Sequence, residues 1–225
     1  MKEFAREVLD AALATGGDFA EIFREDNRAG SLQLIGGRVE LLNSNRTHGA
    51  GIRVYDGLNA VYAYTNDTDR EGLLRCAAQA ASAIRAQRKG NVRARGFVTP
   101  DMPPPHVIRQ WPSQTETRRK LDILRAADAA ARAVSTEIEQ VSCTLMDSEQ
   151  DVTICNSEGL YVEDTRVRTR LACAAIASDG AQKQQGHEAP GALMGYELFI
   201  AKVDPARVGR EAAETARLML HGPRS

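Results

Sequence analysis

The sequence has few cysteines, and none of them form a CxxC pair. Cys76, Cys143, Cys155 and Cys173 lie among aliphatic residues, which is typical of buried, reduced thiols and not of a disulfide framework. The sequence also lacks a GxSxG nucleophile elbow and a Walker loop, the signatures of serine hydrolases and of P-loop nucleotide hydrolases. These motifs therefore give no indication that the protein is a serine hydrolase or a P-loop nucleotide hydrolase.

Long apolar runs and an excess of either charge are missing too. No run approaches the length of a membrane span, and the first ten residues, MKEFAREVLD, contain acids that a signal peptide would not have. Lys and Arg number 29 against 30 Asp and Glu, so the net charge is −1, which gives no electrostatic footprint for nucleic acid. We expect a cytoplasmic, globular protein with neither a membrane nor a nucleic acid as its partner.

The first part of the sequence predicts a helix, a set of short strands and a second helix. An apolar stripe in residues 2–15 ends at Gly16-Gly17, and a capping box of Thr68 and Glu71 predicts the start of the second helix. Gly36-Gly37 and Asp56-Gly57 are typical of tight hairpin turns. The predicted strands between the helices are Ala20–Phe23, Ser31–Ile35, Arg38–Asn43, Gly51–Tyr55 and Leu58–Tyr64.

The same order returns after residues 90–113, which hold five of the eight prolines and favour a linker or a surface strap. Ser113 and Glu116 predict a helix start, and Asp204-Pro205 predicts the start of the closing helix. The predicted strands are Val141–Leu145, Val152–Cys155, Leu160–Glu163, Arg168–Ala177 and Ala181–His187.

Turn glycines recur at nearly one spacing in the two parts of the chain. Gly37 and Gly159 are 159 − 37 = 122 positions apart, and Gly57 and Gly180 are 180 − 57 = 123 positions apart. Such a spacing indicates an internal duplication. We therefore predict an α+β fold of duplicated helix–antiparallel β-meander–helix units: residues 1–89, a linker or strap at 90–113, and residues 114–225 with an insertion at 186–203.

The insertion contains a His-Glu pair, His187-Glu188, that resembles the start of a zinc-protease HExxH helix. The fourth residue after His187 is Gly191, and Pro190 would interrupt the helix. We therefore predict a surface turn here and no metal site. Tyr196, Leu198 and Ile200 alternate as a final strand, so the insertion is interpreted either as an elaborated sheet edge or as a flexible lip beside a cleft.

Three acids at every second position offer another candidate site. On a strand, Asp147, Glu149 and Asp151 would share one face and could bind a hard cation, but the run MDSEQD is also typical of a polar hairpin turn, which we favour. His48, His106, His187 and His221 are scattered without ligand spacing. These 225 residues alone therefore predict no catalytic residue and no metal ligand.

Several tracts together resemble the N-terminal portion of the TldD/PmbA family, long described as modulators of DNA gyrase. They are GGDFAEIF, LIGGRVELLNSNRTHGAGIRVYDG, AVYAYTND, DREGLLRCAAQAASAI, EQVSCTLMDSEQDVTICNSEGLYVEDTRVRTRLACAAIASDG and GHEAPGALMGYEL. No single tract is diagnostic, but their order and spacing cover nearly the whole chain.

The resemblance implies a cytoplasmic zinc metallopeptidase that cleaves small or unfolded peptides as a heterodimer with a TldE/PmbA-like subunit. The zinc ligands of that family lie in the C-terminal half of its chains, so we expect this chain to hold none of them, and whether it is an enzyme by itself stays open. The residues that we expect to contact peptide are Gly186, His187, Glu188 and Gly191. The alternative is a free-standing, gyrase-modulator-like binding module without hydrolytic activity.

Overall fold

The fold is taken from a computed structural model, which describes residues 1–84, 92–101, 103 and 107–222. Its helices are α1 (Lys2–Ala12), α2 (Arg70–Ala83), α3 (Thr117–Arg132), α4 (Leu198–Ala201) and α5 (Pro205–His221). Its strands are β1 (Phe19–Ile35), β2 (Arg38–Asp56), β3 (Asn59–Thr65), β4 (Ile138–Asn156), β5 (Tyr161–Ser178), β6 (Lys183–Glu188) and β7 (Gly191–Ala192).

The strands form one sheet in the order β3-β2-β1-β4-β5-β6, and β7 pairs with β5 outside this path. β2 is antiparallel to β3, and β5 is antiparallel to β6 and to β7. The Ser157 amide donates to the Ala20 carbonyl at 2.8 Å and the Gly36 amide to the Val141 carbonyl at 3.0 Å, so β1 and β4 are antiparallel as well. The predicted α+β class and the repeated order of helix, strands and helix are confirmed.

Glycine allows the hairpin turns at equivalent places in the two repeats. Gly37 and Gly159 have φ of 77° and 103°, and Gly57 and Gly180 have φ of 58° and 87°. A side chain is strained in this left-handed region, whereas glycine enters it freely. The turns predicted from these glycines are therefore confirmed.

The strands are longer than the sequence predicts. β1 has 17 residues, β2 and β4 have 19 each, and β5 has 18, so the predicted pairs of short strands are single strands. The polar turn predicted for MDSEQD is wrong, because Asp147, Glu149 and Asp151 all lie inside β4. Backbone pairing continues through polar stretches since it depends on neighbouring strands and not on hydropathy alone.

The chain forms two compact units that are not consecutive along the sequence. Unit 1 comprises Met1–Asn27, Arg46–Pro104 and Gln150–Thr165, and unit 2 comprises Arg28–Asn45, Pro105–Glu149 and Arg166–Ser225. The division into residues 1–89, 90–113 and 114–225 stays a prediction. Residues 85–91, 102, 104–106, with His106 among them, and 223–225 lie outside the described residues.

Unit 1 packs α1 and α2 against one face of its strands. The core includes Ala5, Val8, Leu9, Leu73, Ala77, Ala20, Ile22, Ile52 and Val54. The predicted cap of α2 is one residue off: the Asp69 carboxylate, not the Thr68 hydroxyl, accepts the Gly72 amide at 2.7 Å. Ala94 is buried beside α1, and its amide donates to Asp10 at 2.8 Å.

Unit 2 packs α3 and α5 against its own strands. The core includes Leu32, Leu34, Leu124, Ala127, Val141, Leu145, Leu171, Tyr196, Ala212 and Ala216. Asp204 caps α5 by accepting the Ala206 amide at 3.0 Å, as predicted. The predicted cap of α3 is wrong, because its N-cap, Glu116, makes no side-chain capping bond and Ser113 lies in a 3-10 turn at Pro112–Gln114.

Candidate functional site

The residues predicted to contact peptide lie on β6 and β7 of unit 2. His187 is exposed and pairs with Ala174 of β5, and the partly buried Glu188 pairs with Cys173. Gly191 pairs with Arg170 in β7. β6 is the last strand of the sheet order, so this segment offers an edge to which an extended chain could be added.

Gly186 has a different environment from His187, Glu188 and Gly191, the other residues predicted to contact peptide. It is buried, and a Cβ at this position would lie 2.1 Å from the Ala212 carbonyl oxygen and 2.4 Å from the Ala216 nitrogen. Both atoms belong to the backbone of α5. The absence of a side chain at Gly186 therefore allows α5 to lie directly against β6.

Backbone and side-chain bonds hold the rest of the insertion in place. The Leu171 amide donates to the Pro190 carbonyl at 3.1 Å, and the Arg170 guanidinium donates to the Ala189 carbonyl at 3.2 Å. The Thr169 hydroxyl donates to the Met194 carbonyl at 2.9 Å. The segment that follows β6 is thus bound along β5.

The final strand predicted from Tyr196, Leu198 and Ile200 is wrong, because residues 198–201 form α4. The Glu197 carboxylate accepts the Gln110 amide at 2.9 Å and the Gly195 amide at 3.2 Å. This arrangement fixes the chain just before the helix. The alternation of apolar residues results from one buried helical turn, in which Leu198 faces the core and Ile200 is exposed.

A largely buried polar cluster of unit 2 is centred on Asp147. Its Oδ2 accepts the Tyr196 hydroxyl at 2.6 Å and the Lys120 ammonium at 2.8 Å. The side chains of Lys120 and Asp147 are only 17% and 10% exposed, so water screens this ion pair less than a surface pair. Burial, aided by the Asp147 charge, raises the pKa of the Tyr196 hydroxyl far above its ordinary value.

The cluster faces a cavity of about 490 Å³ within unit 2. Strands β1, β2 and β4 and the start of α3 supply its walls. The polar side chains that line it are Arg28, Ser31, Asn43, Ser44, Ser113, Thr115, Thr117, Lys120, Asp147 and Glu149. This mixture of donors and acceptors can orient a polar ligand such as a peptide, but it contains no nucleophile paired with a base.

The three alternating acids each bind a different partner and do not converge on an ion. Glu149 accepts the Ser113 amide at 2.6 Å, and Asp151 accepts the Thr165 hydroxyl at 2.7 Å. In the part of the chain that the structure describes, no three His, Cys, Asp or Glu side chains are grouped so that they could hold a metal ion. The described residues therefore do not fit a zinc site.

The remaining histidines and cysteines have structural surroundings. The His48 ring bonds to the Thr68 hydroxyl at 2.9 Å, and His221 bonds to Glu137 at 2.8 Å. The four cysteines are free and buried, which confirms their predicted burial. Burial raises the pKa of the Cys155 thiol to about 12, so this thiol stays protonated and unreactive at neutral pH.

Sequence reasoning missed Lys120 and Tyr196 as members of the Asp147 cluster. They are separated from Asp147 by 27 and 49 positions, so no local spacing connects them. The acids at alternate positions were a usable signal, since on a strand they point to the same side. The alternation makes Asp147 a candidate, but the polar run favours a turn there, and no local pattern indicates its partners.

Comparison with known proteins identifies the family to which this chain belongs. Residues 20–84 match the family model of the PmbA/TldA metallopeptidase domain 1, and residues 111–220 match that of the PmbA/TldA metallopeptidase central domain. The chain therefore belongs to the PmbA/TldD metallopeptidase family, as the resemblance predicts. In the described residues, no helix is long and apolar enough to cross a membrane.

Relatives in the family are about twice as long as this chain. A metalloprotease of Methanothermobacter thermautotrophicus is 28% identical over 211 residues, which make up 92% of this chain and 44% of the relative. A metalloprotease TldD homologue of Haemophilus influenzae is 23% identical over 188 residues, or 83% of this chain and 39% of the relative. The chain thus spans about two fifths of the length of the curated relatives it matches.

Solved structures share the fold over nearly the whole chain. A protein from Thermotoga maritima described as a modulator of a DNA gyrase has a TM-score of 0.75 and 21% identity, and the match covers 96% of this chain and 47% of that one. TldE from Thermococcus kodakarensis has a TM-score of 0.65 and 14% identity, with 95% and 47% covered. Similarity at this level of identity establishes the fold.

Proposed function

We propose that this chain is the N-terminal, non-catalytic portion of a TldD-like zinc metallopeptidase that acts on small or unfolded peptides in the cytoplasm. The observation that carries the proposal is the pair of family matches to domain 1 and the central domain, in a chain that spans 44% or less of the metalloproteases named above. The described residues hold no cluster for a metal, so the zinc of the complete enzyme would be held by residues outside this chain.

The role of this portion is to bind peptide and to help assemble a heterodimer with a TldE/PmbA-like subunit. The exposed His187 and the adjacent Glu188 lie at the outer strand of the sheet, near Gly191. An extended peptide can pair with such an edge through its backbone, while neighbouring side chains select among sequences. Gly186 would take part through its backbone alone.

Peptide cleavage by the complete protein tests this proposal. The intact mass of the protein from its native cell should exceed 24.5 kDa, and that protein should cleave an unfolded peptide in a reaction that a chelator stops. The isolated 225-residue chain should not cleave it. In the complete protein, His187→Ala and Glu188→Gln should raise KM more than they lower kcat, because they remove binding contacts and no catalytic group. Cleavage by the isolated chain would contradict the proposal.

The second candidate is a protein-binding module without hydrolytic activity. It is favoured by the fold match to proteins described as gyrase modulators, of which a second, from Bacteroides thetaiotaomicron, has a TM-score of 0.73 over 96% of this chain. A native mass of 24.5 kDa and direct binding to purified gyrase would support this candidate. A longer native protein that hydrolyses peptides would favour the first.

A further inference from the structure

Aromatic side chains are concentrated on one open sheet face of unit 1. The whole sequence has 11 aromatic residues, and five of them alternate with core residues on β1, β2 and β3, on the face that α1 and α2 do not cover. They are Phe19, Phe23, Tyr55, Tyr62 and Tyr64. Tyr62 and Tyr64 are 54% and 77% exposed. Exposed tyrosines grouped in this way are typical of binding surfaces.

Part of this face forms a cavity of about 240 Å³, which we call the tyrosine cavity. Phe23, Tyr62 and Tyr64 supply its aromatic walls. A Cβ on Gly51 would lie 1.9 Å from the Tyr62 hydroxyl oxygen, so the missing side chain lets the Tyr62 ring lie over the strand. The other lining residues are Glu25, Thr47, His48, Gly49, Ala50, Thr65 and Asn66.

The cavity is lined by one acidic side chain, that of Glu25, and by no lysine or arginine. The Gln150 amide donates to one oxygen of Glu25 at 2.9 Å and thereby positions the carboxylate. The Nε2 atom of His48 lies 2.9 Å from the Thr68 hydroxyl oxygen, and its Nδ1 atom lies 3.8 Å from the Asp26 carboxylate.

The face already binds one cation from within the chain. The guanidinium of Arg53 lies 5.5 Å from the centroid of the Tyr62 ring and donates to the Tyr55 hydroxyl at 3.3 Å. Aromatic faces attract lysine and arginine through the negative potential of the ring, and a carboxylate nearby adds an attraction between opposite charges. The tyrosine cavity offers the same combination to a ligand.

We propose that the tyrosine cavity binds a lysine or arginine side chain of an extended peptide. β3 is the outermost strand next to the cavity in the sheet order, so the backbone of the peptide can pair with its edge while the basic side chain lies between Tyr62, Tyr64 and Glu25. The inference rests on the proposed function only for the source of the peptide. It adds the class of side chain that unit 1 selects.

The test is a calorimetric titration of the 225-residue chain, without any cleavage step. The probes are N-acetylated, C-amidated glycine-serine pentapeptides whose central residue is lysine, arginine, norleucine or glutamate. Lysine and arginine peptides should bind about tenfold more tightly than the norleucine peptide, and the glutamate peptide should not bind. Equal affinity for lysine and norleucine, or no binding of any probe, would overturn the inference.

Variants connect the binding to this cavity. Tyr64→Ala and Glu25→Gln should each weaken binding of the lysine peptide by about fivefold. Glu71→Gln, which changes an exposed carboxylate on α2, should not. Unchanged affinity in both cavity variants would place the binding elsewhere and overturn the inference. Because no hydrolysis is measured, failure here leaves the proposed peptidase function untouched, whereas absent cleavage by the complete protein leaves this binding result untouched.

Discussion

The close contact between α3 and α5 in unit 2 predicts that alanine is less stable than glycine at position 209. At the neighbouring position 210, the difference in stability between alanine and glycine should have the opposite sign. A Cβ on Gly209 of α5 would lie 1.9 Å from the carbonyl oxygen of Ala127 on α3, and 2.7 Å from the carbonyl carbon. An ordinary carbon–oxygen contact is about 3.3 Å. The substitution Gly209→Ala therefore requires the two backbones to separate locally by about 1.4 Å, taking that contact distance as the target.

The expected cost follows from two opposing effects. A backbone carbonyl cannot rotate out of the way as a side chain can, so overpacking should cost about 3 kcal/mol, at the upper end of its usual range. Replacing glycine by alanine in a helix interior returns about 1 kcal/mol of helix propensity. We expect Gly209→Ala to lower the free energy of unfolding of unit 2 by about 2 kcal/mol.

Urea unfolding followed by tryptophan fluorescence measures this change, because Trp111, the single tryptophan, belongs to unit 2. The matched control is the adjacent exposed residue, Arg210. There, Arg210→Ala should be more stable than Arg210→Gly by about 1 kcal/mol. The alanine–glycine difference should thus have opposite signs at the two positions. If Gly209→Ala is as stable as the unchanged protein, the close backbone contact is refuted.

Four further predictions concern single interactions and metal content. A hydrogen bond from His221 holds the pKa of Glu137 below its ordinary value, so the stabilisation from ionised Glu137 is present above about pH 4.3 and is lost as the pH falls through the lowered pKa. The melting temperatures of the unchanged protein and of Glu137→Gln should therefore converge as the pH is lowered below that point. Tyr196→Phe removes the bond to Asp147 and should cost about 1–3 kcal/mol in urea unfolding, and an unchanged midpoint would contradict this. Asp204→Ala removes the cap of α5 and should cost about 1 kcal/mol, whereas Asp204→Asn should restore most of it. Addition of EDTA should leave the melting temperature of this chain unchanged, and a lower value would reveal a structural metal.

The sequence predicted the turns of this fold better than its strands. Gly37, Gly57, Gly159 and Gly180 were identifiable because only glycine adopts their backbone conformation without strain. Strand continuity was not predictable from hydropathy, since residues 38–45 of β2 are exposed throughout and still belong to the sheet. Their pairing depends on the neighbouring strand, which single-sequence periodicity does not contain.

The side-chain contacts of the candidate sites were not predictable from sequence for the same reason: they join elements that are distant along the chain. Asp147 was singled out through its alternation with Glu149, a local property of the strand. Its bonds to Lys120 and Tyr196 join a helix, a strand and the insertion. Likewise, Tyr62 and Tyr64 are recognisable as alternating residues of β3, but the position of the Tyr62 ring over Gly51 depends on strand pairing.

Glycine has two distinct physical uses, and this difference decides how the proposed peptide contacts must be tested. The turn glycines use positive φ, whereas Gly186 has no positive φ and is required because α5 leaves no space for a Cβ. The sequence alone does not distinguish the two uses, because both appear simply as glycine. A substitution at Gly186 would displace α5 and reduce peptide binding by damaging the fold. Loss of binding is therefore informative about recognition only at His187 and Glu188, and only when unit 2 retains its unfolding midpoint.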